Sequence, residues 1–453
     1  MKPPFAAIVL AAGEGTRMCS ALPKVLHEVA GQPMVGHVLA ALEPLAPQAS
    51  VVVIGEGQDA VATAVSPVKT AVQHPPRGTG DAVRAARGTL VSALAGALAG
   101  TLDVVILYGD APLIQSETIT RLIDARRSTG AAIAVAGMRP ADHTPYGRLV
   151  LGADGRTVER IVEAKDASAE EFAVTLCNGG IMAVAAEHLF DLVDCLQNIN
   201  AKREFYLTDI VAIARGRDLA TTYVELPAEE VLGVNTRAEL AEAEALMQGR
   251  LRRRAMAAGA TLIAPDTVFF SADTKLGRDV VVEPNVVFGP GVTIADNVRI
   301  RSFSHLDGAT IAEGAIVGPY ARLRPGAVLE RDVHVGNFVE VKATRLGAGA
   351  KANHLSYLGD SDIGGGTNIG AGTITCNYDG FNKARTVIGD NAFIGSHTAL
   401  VAPVTVGDGA YVATGSVVTA DVPADALTIA RARQVDKPGR GKELRARLRG
   451  KKR

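Results

Sequence analysis

Residues 275–308 read KLGRDVVVEPNVVFGPGVTIADNVRIRSFSHLDG, and every sixth position is apolar: Leu276, Val282, Phe288, Ile294, Ile300 and Leu306. The register then slips by one residue and resumes at Ile311, Val317, Leu323, Leu329, Val335 and Val341. Ile363 and Ile369 continue the spacing, and Ile388, Ile394, Leu400, Val406, Val412 and Val418 complete it. A period this short and this sustained marks a solenoid. One aliphatic per six residues supplies one inward position per face of a triangular coil. The sequence therefore predicts an all-β prism, a parallel β-helix. Glycine often follows the aliphatic, as at Gly277, Gly289, Gly318, Gly336, Gly364, Gly370, Gly389, Gly395 and Gly407. The expected role of this small residue is to permit the tight turn at each corner.

One stretch breaks the repeat. TCNYDGFNKAR, Thr375 to Arg385, is polar and must loop out of the prism. A long excursion from a strict repeat is usually functional.

Before Pro265 the pattern is different. AAIVLAA, SVVVIG, DVVILYGD and AAIAVAG read as buried parallel strands, and Pro33–Leu45 and Thr79–Leu94 read as helices. Strand and helix in alternation predict a doubly wound, Rossmann-like α/β domain. Thr236 and Glu239 then have capping-box spacing, and Leu240, Ala243, Met247 and Leu251 form one helical stripe. We expect an α/β domain over 1–230, a linking helix over 231–258 and the prism over 259–453.

Composition agrees with a folded enzyme-sized chain. Its 453 residues exceed what one core organises, and 47% hydrophobic with 21% charged residues fits a globular protein. The formal net charge of −1 gives no broad attraction to nucleic acid, and the Lys/Arg-dense end, Arg431 to Arg453, reads as a solvated tail. Cys19, Cys177, Cys195 and Cys376 lack C-x-x-C spacing, which argues against a disulfide framework or structural zinc. The N-terminus does not read as a signal peptide, and the Ala/Leu-rich stretch Leu90–Leu102 is too short and glycine-broken to span a bilayer. These features predict a reducing, cytoplasmic location.

The candidate sites begin with IVLAAGEGTRM, Ile8 to Met18, where an apolar run stops at glycine and a cation follows. A Walker A loop would need Lys-Thr after its second glycine, and a dinucleotide fingerprint a third glycine where Met18 stands. The stretch is a generic anion-binding turn, expected to open a helix. Asp110 closes a strand, so its carboxylate falls at the carboxyl edge of the sheet, where α/β ligands bind and where a hard oxygen suits Mg²⁺.

The motifs together are more specific than any one of them. LAAGEGTRM…LPKVL resembles the signature of the sugar-1-phosphate nucleotidyltransferases, and QHPPRGTGDA, LYGDAPL, YGRLV, RIVEAKDA, CNGGI and GVNTR follow in order. With NHLSYLGDSDIG and NIGAGTITCNYDGFNK on the prism, residues 5 to 435 resemble the family of bifunctional N-acetylglucosamine-1-phosphate uridylyltransferases / glucosamine-1-phosphate acetyltransferases of bacterial cell-wall precursor synthesis.

That resemblance implies a left-handed β-helix and a homotrimer. It implies that Leu10, Ala11, Ala12, Gly13, Gln73, Gly78 and Thr79 hold the uridine nucleotide, with Tyr108 and Gly109 beside it. Arg17 and Lys24 would meet the phosphates of UTP, Asp110 and Asn235 would hold Mg²⁺, and Gly147, Glu163 and Asn178 would face the sugar. On the prism it implies His354 as general base. Arg324, Lys342, Tyr357, Asn368 and Lys383 would bind glucosamine-1-phosphate, and Ala371, Asn377, Tyr378, Ser396, Thr414 and Arg431 acetyl-CoA. Two departures are visible: Thr414 where an Ala is expected, and Asp81 where many relatives have His, the latter expected to matter little because the contacts there would be backbone. Cys376 beside Asn377 would allow a ping-pong thiol, but no His flanks it. Two other readings stay open on sequence. One is a single-activity nucleotidyltransferase whose β-helix serves only oligomerisation or regulation, which would need neither His354 nor the excursion. The other is a non-catalytic regulatory subunit, against which Lys24 and Asp110 count.

Overall fold

The computed structural model describes residues 4–94, 102–200 and 202–450. Most of the Ala/Leu-rich stretch, residues 95–101, lies outside them. The chain divides into two compact units, Met1–Leu251 and Arg252–Arg453. Among the described residues no helix is long and apolar enough to cross a membrane.

The first unit is built on a nine-stranded sheet: β1 (Phe5–Leu10), β2 (Ala49–Gly55), β3 (Lys69–Gln73), β4 (Asp103–Tyr108), β5 (Ile133–Met138), β6 (Arg148–Leu151), β7 (Val158–Val162), β8 (Cys177–Ala185) and β9 (Thr221–Glu225). Its main path runs β9-β5-β8-β4-β1-β2-β3, with β6 and β7 paired at the side. Both faces are covered, so successive residues of one strand serve two cores. Ala6, Ile8 and Leu10 pack with Val83, Ala86 and Leu90 of the helix Thr79–Ala93. Phe5, Ala7 and Val9 pack on the other side with Val35 and Val38 of the helix Met34–Leu42 and with Ile119 and Leu122 of the helix Ser116–Thr129. This explains why these strands read as unbroken apolar runs rather than alternating ones. Truncating Leu90, which is fully buried, would cost about 2–5 kcal/mol.

The four strands legible in sequence run the same way, but the sheet is mixed. β8 lies antiparallel between β4 and β5. Its register shifts between Asn178 and Met182, around the Gly179-Gly180 pair.

The helix Arg237–Ala257 follows, and Thr236 and Glu239 cap it reciprocally. Ala243, Met247 and Leu251 are buried and Leu240 partly so. The boundary between the two units falls inside this helix, after Leu251.

The second unit is a three-sided prism of short parallel strands in sheets of ten, eight and eight. Val287 pairs with His305 eighteen residues on, Thr293 with Thr310 seventeen on at the slip, and Asp362 with Val387 twenty-five on across the excursion. The periodic aliphatics are buried on the axis, except Leu276 in the first turn, which is half-buried. Leu346, Ala352 and Leu358 carry the repeat through the gap between Val341 and Ile363 and are fully buried. The glycines after the aliphatics have a different role from the one expected. Of those named above only Gly318 has a positive φ. A Cβ at Gly336 would lie 2.0 Å from Asn353 O, and one at Gly395 2.4 Å from Thr414 N. The small residue is needed because the next coil's backbone passes over it. The left-handed corner conformation falls mostly three residues after the aliphatic, at Asn285, Asn297 and Asp332 among others.

The excursion is an ordered hairpin: Tyr378 bridges Lys383, Ala384 N donates to Asn377 O, and Asp379 accepts from the amides of Phe381 and Asn382. The basic stretch near the chain end carries the exposed helix Arg440–Gly450.

Candidate active sites

In the first unit Leu10 and Tyr108 end adjacent parallel strands in register, and Gln73 ends β3. This carboxyl edge borders a cleft of about 640 Å³. Of the residues singled out in sequence, Arg17, Thr79, Tyr108, Asp110, Gly147, Glu163, Asn178 and Asn235 line it. Leu10, Ala11, Ala12, Gly13, Lys24, Gln73, Gly78 and Gly109 lie outside its lining.

The turn after β1 opens not a helix but a single 3₁₀ turn, Thr16–Met18. Gly15 has φ +63°, and a Cβ there would lie 2.5 Å from Lys24 Cβ, so this glycine lets the loop close on Lys24. A Cβ at Gly13 would meet nothing within 4 Å.

Lys24 Nζ donates to Asp110 Oδ2 and, at 3.0 Å, to Asn235 Oδ1. Asp110 and Asn235 are far apart in sequence but held together by Val234 N donating to Asp110 O at 2.9 Å. A carboxylate and an amide oxygen thus converge on one cation, here an ammonium. Such a hard-oxygen pair fits a divalent ion that keeps water and substrate oxygens as its other ligands. Among the described residues no group of three or more His, Cys, Asp and Glu gathers into a full protein cage.

Also in the cleft lining, Glu163 accepts from Thr208 Oγ1 at 3.3 Å, and burial pushes its carboxyl up. Asp209 is pushed up to about 6 by burial, then by Glu163 and Asp166. Burial and the charges of Glu163 and Asp110 push the Tyr108 phenol up as well. Thr208 and Asp209 carry no motif in sequence and were missed.

Asp81 is not a bystander to backbone contacts. It is buried in the first turn of the helix Thr79–Ala93, its Oδ2 accepts from Gln73 Nε2 at 3.1 Å, and its Oδ1 pairs with Arg77 at 3.2 Å and Arg84 at 3.6 Å.

On the prism, one corner carries a column in register. Asn337, His354, Ala371, Ser396 and Thr414 each sit two residues after a buried aliphatic in successive coils. His354 Nδ1 lies 2.7 Å from Asn337 Oδ1. Arg431 Nη1 donates to Thr414 O at the column's far end. The adjoining face carries Arg324, Lys342 and Tyr357 on successive coils. Asp360 ties this face to the excursion: it accepts from Lys342 Nζ at 3.5 Å and from Asn377 Nδ2. Lys383 lies against Lys342, whose direct contact and then charge lower its pKa. Asn368 is one coil beyond Lys351, and Tyr378 is exposed on the excursion. Asn337, Asp360 and Glu340, which accepts from Arg324 at 2.9 Å, were missed. Only the coil length could have pointed to Asn337, seventeen residues before His354.

A family model described as MobA-like NTP transferase domain matches residues 7–206, and one described as bacterial transferase hexapeptide (six repeats) matches 273–308 and 385–420. Cleft and prism therefore define a nucleotidyltransferase unit followed by a left-handed hexapeptide-repeat transferase unit. Relatives named bifunctional protein GlmU match almost end to end. That of Xanthobacter autotrophicus is 54% identical, covering 97% of each chain. That of Sphingopyxis alaskensis is 53% identical over 100% of this chain and 99% of its own, and that of Paramagnetospirillum magneticum 51% over 99% and 98%. The chain belongs to this family. It is a bifunctional enzyme of UDP-N-acetylglucosamine synthesis, acetyltransferase and uridylyltransferase in one chain.

Proposed function

We propose that the first unit performs uridylyl transfer at the cleft and the second acetyl transfer at the prism corner, with residues 1–230, 231–258 and 259–453 as catalytic domain, linker and catalytic domain. The observation that carries the first assignment is the convergence of Asp110 and Asn235 on one cation. These two residues would hold Mg²⁺, which when bound neutralises phosphate charge. The N-acetylglucosamine-1-phosphate oxygen attacks the α-phosphorus of UTP in line. The new P–O bond forms as the bond to pyrophosphate breaks, and positioning with charge stabilisation carries such transfers. Arg17 and Lys24 supply fixed positive charge, and the open space at Gly13 lets phosphate approach backbone. Gln73, Gly78 and Thr79 hold the uridine, while Glu163, Asn178 and Gly147 orient the sugar.

At the prism, Asn337 Oδ1 accepts only if His354 Nδ1 carries the proton, which leaves Nε2 with a free lone pair. Nε2 takes the proton from the ammonium of glucosamine-1-phosphate. The amine attacks the thioester carbonyl, the C–S bond breaks, and the nitrogen's surplus proton passes to the leaving sulfur, so that the amide forms and coenzyme A departs as thiol. Arg324, Lys342 and Lys383 bind the sugar's phosphate, with Tyr357 and Asn368 beside them. Ala371, Ser396, Thr414, Asn377, Tyr378 and Arg431 bind acetyl-CoA. The family's small sugar-phosphate and nucleotide substrates fit both sites and support this reading; we take the chain to act as a homotrimer in the cytoplasm. The test is to supply glucosamine-1-phosphate, acetyl-CoA, UTP and Mg²⁺ to the purified chain. UDP-N-acetylglucosamine should form, and omitting acetyl-CoA should abolish it. Accumulation of UDP-glucosamine instead would overturn the assigned order.

A further inference from the structure

Gln73 and Asp81 are buried together, 4% and 6% exposed, where β3 gives way to the helix Thr79–Ala93. Gln73 Nε2 faces two oxygens: the carbonyl of Gly78 at 3.0 Å and Oδ2 of Asp81 at 3.1 Å. Both oxygens only accept, so the amide must present its NH₂ to them and cannot be reversed. Asp81 is in turn held by Arg77 and Arg84, whose guanidinium groups lie over the Phe205 ring. The remaining end of the amide, Oε1, takes no hydrogen bond from the described residues and is not sealed in the core.

We propose that Asp81 is a positioning residue that fixes the Gln73 amide with its oxygen outward, and thereby sets the base preference of the nucleotide site. This rests on the uridine reading of the first unit. Uracil carries an N–H donor at N3, which Oε1 accepts. Cytosine carries a lone pair there, so two acceptors would face each other. A site built to accept one hydrogen bond rejects the analogue that cannot give it. Without Asp81, only the Gly78 carbonyl orients the amide, and the NH₂ is freer to turn toward the base.

The experiment uses the full chain and measures kcat and KM for UTP and for CTP with N-acetylglucosamine-1-phosphate. Asp81→Leu should lower the UTP-over-CTP ratio of kcat/KM about tenfold, through KM, with kcat and acetyl transfer unchanged. A second variant, Asp81→Asn, conserves volume. Arg77 and Arg84 donate to its amide oxygen, which turns its NH₂ toward Gln73 and favours the reversed Gln73 amide, so the ratio should fall here too. An unchanged ratio in a folded Asp81→Leu protein overturns the proposal. If Asp81→Leu fails to fold, Asp81→Asn decides: a fallen ratio supports the role, an unchanged ratio overturns it. A wild-type chain that uses both nucleotides alike removes the uridine reading and this inference with it, whereas a UTP-selective chain with an inert Asp81→Leu removes the inference alone.

Discussion

His354 Nδ1 sits 2.7 Å from Asn337 Oδ1, its register partner one coil earlier on the same prism face. The β-helix ladder therefore orients the imidazole, because the residue that fixes its tautomer is placed by strand pairing rather than by proximity in sequence.

His354→Ala should lower acetyl transfer roughly 10²-fold or more, as loss of a general base does, and leave uridylyl transfer intact. Asn337→Leu should lower the acetyl kcat about tenfold with KM for acetyl-CoA unchanged. Asp110→Ala should do the reverse, abolishing uridylyl transfer and sparing acetyl transfer. Both activities are read on one preparation, so equal loss of both in any variant contradicts the assignment.

How far the sequence shows this arrangement differs between the units. The prism is legible because each coil spends one residue per face on the axis, and that tax repeats for more than a hundred residues. The reason for its glycines is not legible, since the clash that Gly336 avoids is with Asn353 O, an atom of the following coil. Strand β8 is hidden for another reason: CNGGIMAVA is as apolar as its parallel neighbours, and direction leaves no mark on composition. Asp110 and Gly13 can be read from their place at a strand end. Asp81 cannot, because its significance depends on where the Gln73 amide points.

The boundary inside the helix Arg237–Ala257 bears on separability. A fragment ending near 230 removes Asn235 and the Thr236 cap, and should bind Mg²⁺ poorly. One ending near 255 keeps both and should retain uridylyl transfer without acetyl transfer. Metal titration by calorimetry and the uridylyl assay on each fragment check this. A fragment to 255 that folds but is inactive would falsify the two-module account.

Asp209 gives the first unit a pH signature. Its carboxyl is pushed up to about 6 by burial, Glu163 and Asp166. Between about 4 and 6 the folded chain keeps a proton that the unfolded chain releases, so the contribution of this group falls as pH rises through that window. Asp209→Asn removes the penalty of ionisation. Its first-unit melting temperature should exceed wild type by about 2–4 °C at pH 7.5 and by clearly less at pH 4.5. An equal gain at both pH values would assign the effect to packing instead.

The prism leaves apolar surface uncovered. Phe303, Tyr320 and Phe338 stack along one corner with ring centroids 4.9 and 5.2 Å apart, each about half exposed. Phe381 stands 91% exposed on the excursion, and the segment around Arg431 has no core of its own. Large exposed apolar patches mark interaction sites, and closed cyclic packing would bury these side chains. We predict a trimer in which one chain's excursion or tail completes a neighbour's acetyl-transfer site. The measurement mixes two inactive proteins under subunit exchange: His354→Ala, and a chain truncated after Asp425. If sites are shared, some interfaces receive an intact His354 and an intact tail, and acetyl transfer reappears. A monomer by light scattering removes the premise, and a well-mixed trimer without recovered activity places both elements within one chain.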